Sequence, residues 1–163
     1  MEQIVLLIAI RNKIKKMVLK FLLSVEFANI VRIILGVLFT VSAIMKLSNL
    51  KGFASIVESY RILPKKIARV SGYIQPFIEL IAGGMILTGF KLGFALIVAL
   101  GILLVATSFV VIAIVKKRKL ESCGCLGPNV KIPVSWNKVV ENIGWMVLCM
   151  YLLGIVVLSS LAR

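Results

Sequence analysis

From Leu92 to Val115 the chain runs for twenty-four residues without a charged side chain. At about 1.5 Å of rise per residue, a helix of that length crosses the ~30 Å hydrocarbon core of a bilayer. Hydrocarbon offers no partner to an exposed backbone N–H or C=O, so a segment of this kind is helical. Three further apolar stretches, at about 27–47, 67–88 and 139–161, are nearly as long. With 61% hydrophobic residues and a mean hydropathy of +1.09, the chain has the composition of a membrane domain rather than a soluble one. The reading is an all-α, multi-pass integral membrane protein of the cell membrane, a four-transmembrane-helix bundle.

The formal charge of +14 comes from 20 Lys and Arg against 6 Asp and Glu. In a soluble domain it would point to nucleic acid, but these cations fall between and beside the apolar stretches. Contact with anionic lipid and control of topology account for them, so the expected partner is the lipid bilayer and not a nucleic acid. Histidine is absent, which excludes imidazole acid-base catalysis and His-ligated metal sites.

At the N-terminus an apolar run from Ile4 to Ile10 is followed by Arg11, Lys13, Lys15 and Lys16. A cleaved signal peptide carries its charge before the apolar run, so residues 1–26 are expected to remain as a basic amphipathic segment. It either lies in the interface or extends the first span. Residues 27–163 form the expected transmembrane domain. Arg32 and Lys46 stand near the two ends of the first span, on nearly the same stripe; snorkelling to opposite headgroups and a functional role both fit them.

After the first span, Leu50, Phe53, Val57 and Tyr60 recur at helical spacing until Pro64, the pattern of a short amphipathic interfacial helix between spans 1 and 2. In the second span Glu79 comes twelve residues after Ile67, near mid-bilayer, where a carboxylate needs a partner or a proton. Gln75, Glu79 and Gly83 share a face that should turn into the bundle, and Pro76 frees a carbonyl one turn earlier. Interhelical glue and a functional role remain level for Glu79. Gly89-Phe90-Lys91 leaves room only for a tight hairpin into the third span.

Lys116 to Lys119 close the third span, and a loop with Cys123-Gly124-Cys125 runs from there to about Trp136. Trp136 and Trp145 mark the start of the fourth span as interface anchors. An even number of spans puts the first and third loops on one side, so Lys46 and the cysteines are neighbours in depth. Nearby cations, with Lys46 and Lys116 to Lys119 as candidates, favour the thiolate, which is both the exchange nucleophile and the metal ligand. Cysteines two residues apart close only a small ring, which Gly124 permits, and strain makes such a disulfide oxidising and exchangeable. Redox exchange, soft-metal binding by two thiolates and an idle pair are the three readings left open. Cys149, some ten residues into the fourth span, reads as a small apolar core side chain.

Between about Ile30 and Leu161 the chain resembles the MauE/DoxX-like family of redox-associated membrane proteins. The resemblance is carried by Arg32 with Gly36, by Val41-Ser42-Ala43-Ile44-Met45-Lys46-Leu47, and by Phe53 to Tyr60 with Leu63-Pro64. It continues through Pro76-Phe77-Ile78-Glu79-Leu80 with Gly83, and Cys123-Gly124-Cys125-Leu126-Gly127. It implies a four-helix membrane fold and a redox role serving a thioredoxin-like partner; MauE-like proteins are required for maturation of the disulfide-rich small subunit of methylamine dehydrogenase. Cys123 and Cys125 would then be the catalytic pair, supported by Gly124, Lys46, Glu79 and Arg32. The sequence departs from the family pattern at Leu126, where Phe is more usual, at Ser122, where an acidic residue often stands, and in the extra Cys149.

The first expectation is therefore a thiol-disulfide relay of oxidoreductase type, exchanging with a thioredoxin-fold protein and passing electrons to a lipid-soluble acceptor such as a quinone. The second is a carrier for a soft metal or small solute, with Cys123 and Cys125 as entry ligands and Glu79 in the pathway. The third is a maturation scaffold without catalysis. Topology signals conflict. Seven cations lie on one side (Arg11, Lys13, Lys15, Lys16, Lys20, Lys91, Arg163). Twelve lie on the cysteine side (Lys46, Lys51, Arg61, Lys65, Lys66, Arg69, Lys116, Lys117, Arg118, Lys119, Lys131, Lys138). Positive-inside counting puts the cysteines in the cytoplasm, whereas a redox role and a dominant basic N-terminus put them outside. The expectation adopted is the outer face.

Overall fold

The structure, a computed structural model, describes residues 25–118, 120, 122–130 and 132–161. Apart from Val25 and Glu26, which begin the first helix, the N-terminal segment 1–26 lies outside the described residues. Among the described residues five helices run in order: α1 Val25–Leu47, α2 Leu50–Ser59, α3 Lys65–Thr88, α4 Leu92–Val115 and α5 Trp136–Leu161. All but α2 are long and apolar enough to cross a membrane. The chain is thus a helical, multi-pass membrane protein.

Turn chemistry sets the boundaries. Ser48 and Asn49 separate α1 from α2, and the Asn49 side chain caps α2 by accepting from the Gly52 N–H at 2.9 Å. Pro64 stands at the N-cap of α3 with extended backbone, so α3 starts two residues earlier than hydropathy alone suggested. Gly89 ends α3 in the left-handed region at φ 75°, and Lys91 at φ 43° starts α4, making the expected hairpin. Likewise α5 starts at Trp136, ahead of its most apolar stretch.

Packing pairs α1 chiefly with α3 and α4 with α5. The first pair is drawn close at Gly83, where a Cβ would lie 2.9 Å from the Thr40 backbone N. Leu35, Phe39, Ile86, Leu96, Ala99 and Cys149 fill the core, all fully enclosed or nearly so. The opposite side of α1 carries Ile30, Ile33, Ile34, Val37, Val41 and Ile44, about half exposed, which is a stripe for lipid and not for water.

The short helix α2 does not turn its apolar face to lipid. Phe53 and Val57 pack on Ala68 of α3 with Phe109 of α4 alongside, and the Tyr60 ring lies 5.6 Å from Phe109. Helix α2 therefore caps one end of the bundle, where the cysteine loop lies.

Snorkelling does not describe Lys46. Lys46 is 4% exposed and turns inward, because Glu79 of α3 offers it a counter-charge in the interior. At the other end, the Arg32 guanidinium lies against Gly89, and its buried Nε has no hydrogen-bond partner among the described residues.

Candidate functional site

Helix α4 ends at Val115, capped by Lys116, and the loop that follows folds back over the bundle. Its shape is set by Ser122. The buried Ser122 hydroxyl donates to the Val130 carbonyl at 3.1 Å and accepts from the Gly124 N–H at 3.2 Å and the Ile132 N–H at 3.4 Å. The Cys123 N–H donates to the Ile132 carbonyl at 2.9 Å, closing the loop. Gly124 sits at φ 71°, and a Cβ there would come within 2.9 Å of Ile56 of α2, so a side chain would meet both backbone strain and a collision.

Two residues from the helices hold the cysteines' own backbone. Ser42 of α1 donates to the Cys125 carbonyl at 2.8 Å, and Tyr60, the C-cap of α2, donates to the Cys123 carbonyl at 3.0 Å. Burial, with Cys123 and Cys125 as secondary causes, pushes the Tyr60 phenol up, so it stays protonated and remains a donor.

Both cysteines are free thiols. Cys123 is buried, and the Cys125 backbone N–H points at its sulfur, 3.3 Å away. Hydrogen bonding from the Cys125 thiol, opposed by burial and reinforced by that N–H and the charge of Lys138, pulls Cys123 from 9.0 down to about 7. Cys125 is driven the other way, first by its role as donor to Cys123 and then by burial. The two thiols are thus unlike, Cys123 shifted toward its thiolate and Cys125 held protonated.

Beneath Cys125 lies a cavity of about 130 Å³. Two ion pairs line it. Lys46 Nζ meets Glu79 Oε2 at 2.5 Å, with Lys46 also 5.3 Å from the Phe53 ring centroid. Lys138 Nζ meets Glu141 Oε1 at 2.8 Å within the first turn and a half of α5. Asn142 reaches across to Thr107 at 3.1 Å, and Gln75, Ser42 and Trp145 complete the polar lining.

The structure thus brings Cys123, Gly124, Cys125, Lys46 and Glu79 into one site and leaves Arg32 out of it, beside Gly89 at the α3–α4 hairpin. Among the cations expected to act on the thiols, Lys46 reaches Cys125. Lys138, not the cluster ending α4, reaches Cys123. Lys116 and Lys117 are exposed, and Lys119 lies outside the described residues. Cys149 belongs to the core of α1, α4 and α5, a different cluster from that of Cys123. Sequence reasoning missed Ser42, Lys138, Glu141 and Asn142 as site residues. The one available signal was Lys138 with Glu141, an i, i+3 charge pair at the margin of an apolar span. Among the described residues, no group of three Cys, Asp or Glu side chains is placed to hold a metal ion.

The family model for the methylamine utilisation protein MauE matches residues 24–156, from the start of α1 through the cysteine loop and most of α5. The chain belongs to the MauE family. A curated MauE-family relative, the methylamine utilization protein MauE of Paracoccus denitrificans, is 33% identical over 113 residues. That match spans 69% of this chain and 60% of the Paracoccus protein. No solved structure matches this MauE-family chain.

Proposed function

We propose that this chain is a membrane thiol-disulfide relay whose reactive pair is Cys123 and Cys125. The observation that carries the reading is the asymmetry of the pair: Cys123 is favoured as thiolate by the N–H and thiol of Cys125, while Cys125 keeps its proton. A structural or idle pair has no need of that division. In the oxidised state a thiolate of a thioredoxin-fold partner attacks the Cys123–Cys125 disulfide. The partner's second thiol then resolves the mixed disulfide, leaving the partner oxidised and Cys123 and Cys125 reduced. The kinship with a methylamine utilization protein supports placing this exchange in the maturation of a disulfide-bearing protein, with the loop on the outer face, where disulfides persist.

The carrier reading has less behind it. Among the described residues the two thiolates have no third ligand, which makes a weak soft-metal site, and Glu79 is already neutralised by Lys46. Thiol trapping in intact cells with a membrane-impermeant maleimide tests the relay. The expected result is labelling of Cys123 and Cys125 from outside, only after a reductant has opened a disulfide. A pair that is permanently reduced, or a Cys123→Ser protein that still supports full partner oxidation, would overturn the relay, the second outcome in favour of a non-catalytic scaffold.

A further inference from the structure

A dithiol that oxidises one partner must be re-oxidised by another, and this chain has no second cysteine pair to do it. Of its three cysteines, the third is Cys149, enclosed in the core. The oxidant must therefore come to the loop from outside the chain.

One route leads in from the bilayer. Between the apolar outer faces of α3 and α4 lies an open groove of about 660 Å³, walled by Val70, Ile74 and Ile78 on α3 and by Ile102 and Val105 on α4. The space a Cβ would take at Gly101 has no atom within 4 Å, so the missing side chain leaves the α4 wall open. The groove is apolar almost throughout, and its inner polar group is Gln75. Among the described residues Gln75 alone lines this groove, the crevice holding Cys123 and the cavity beneath Cys125. No described residue engages its side-chain amide in a hydrogen bond. Gln75 thus stands at the passage between lipid and dithiol.

The occupant of such a groove must arrive by lateral diffusion in the bilayer and match an apolar wall along its length. It must present at its inner end an oxygen that accepts from an amide or ammonium, and it must take two electrons from a dithiol. We infer that the α3–α4 groove docks a lipid-soluble quinone, with Gln75 donating to a ring carbonyl and Lys46 beyond it. The inference rests on the relay reading. The reaction balances without a further reagent: the Cys123–Cys125 bond forms, the dithiol gives up two electrons and two protons, and the two quinone carbonyl oxygens become the hydroxyls of a quinol.

The test uses the full chain, reduced, in nanodiscs of defined phospholipid, with decylubiquinone as oxidant and diamide as a water-soluble control. Quinol formation is followed by absorbance and disulfide formation by thiol trapping. Gly101→Leu, which fills open space, is expected to slow oxidation by quinone about tenfold and leave oxidation by diamide unchanged. Gln75→Leu should slow the quinone reaction as well. A photoreactive azidoquinone should label α3 and α4 peptides in the groove, also in a Cys123→Ser/Cys125→Ser chain that cannot relay. If diamide closes the disulfide but quinone neither oxidises the dithiol nor labels the groove, the groove holds only phospholipid; the quinone inference falls and the relay stands. If diamide cannot close the disulfide, the relay falls, and azidoquinone labelling still decides the groove.

Discussion

Lys46 Nζ, near the end of α1, lies 2.5 Å from Glu79 Oε2, midway along α3, and each side chain is only 5% exposed. Either charge alone at that depth would be costly, and together they neutralise one another while tying the two most closely packed helices. The pair also forms part of the wall beneath Cys125, so the contact that holds the bundle shapes the candidate site.

Removing one member should therefore cost more than removing both. Glu79→Gln or Lys46→Met leaves a buried charge without its counterpart and is expected to destabilise the bundle by about 3–5 kcal/mol. The double change Lys46→Met/Glu79→Leu should recover most of that loss. Thermal unfolding in detergent gives the comparison, and additive losses in the double variant would mean the pair is not coupled.

The two cysteines should behave differently when changed singly. Run in reverse, the exchange in Cys125→Ser lets Cys123 attack the disulfide of an oxidised partner without Cys125 to complete the partner's reduction, so a mixed disulfide, released only by the partner's own second thiol, should be caught on acid-quenched non-reducing gels. Cys123→Ser should accumulate none, and both should lose partner oxidation while the bundle stays folded. Cys149→Ser, in the core, should leave exchange largely intact. Equal trapping by the two loop variants would contradict the assignment of Cys123 as nucleophile.

Alkylation of Cys123 should follow its thiolate. With the thiol lowered from 9.0 to about 7, the rate should fall as pH drops below 7, where the thiol is protonated, and level off above it. Cys125→Ala removes the donor thiol that is the largest cause of the lowering, so the half-point should move up. A wild-type half-point near 9 in a maleimide rate profile would remove the asymmetry on which the relay rests.

Tyr60→Phe should loosen the loop from the bundle. The Cys123 carbonyl would lose its hydroxyl donor in a buried setting and keep only the long contact from the Cys125 thiol at 4.0 Å, at a cost of about 1–3 kcal/mol. Hydrogen exchange at the Cys123 N–H, which is bonded to Ile132, should accelerate, and Ser42→Ala should have a similar effect through the Cys125 carbonyl. Unchanged exchange in both variants would show that the loop is held by its internal Ser122 bonds alone.

Much of the architecture was legible in the chain itself. Apolar runs long enough to span hydrocarbon, one of them wholly uncharged, determined four crossing helices, Gly89 to Lys91 left room only for a hairpin, and the cost of a carboxylate at mid-bilayer turned Glu79 inward. These follow from local composition and from the solvent, with no knowledge of which helix lies beside which. The tertiary structure alone decided that Lys46 pairs with Glu79 33 residues away instead of snorkelling. It likewise decided that Tyr60 and Ser42 hold the Cys123 and Cys125 carbonyls from 63 and 83 residues away, and that Lys138 supplies the cation for Cys123. Such pairings depend on how each helix is rotated and how closely it approaches its neighbour. Those are settled by side-chain fit at contacts such as Gly83 against Thr40, which no periodicity along the chain encodes.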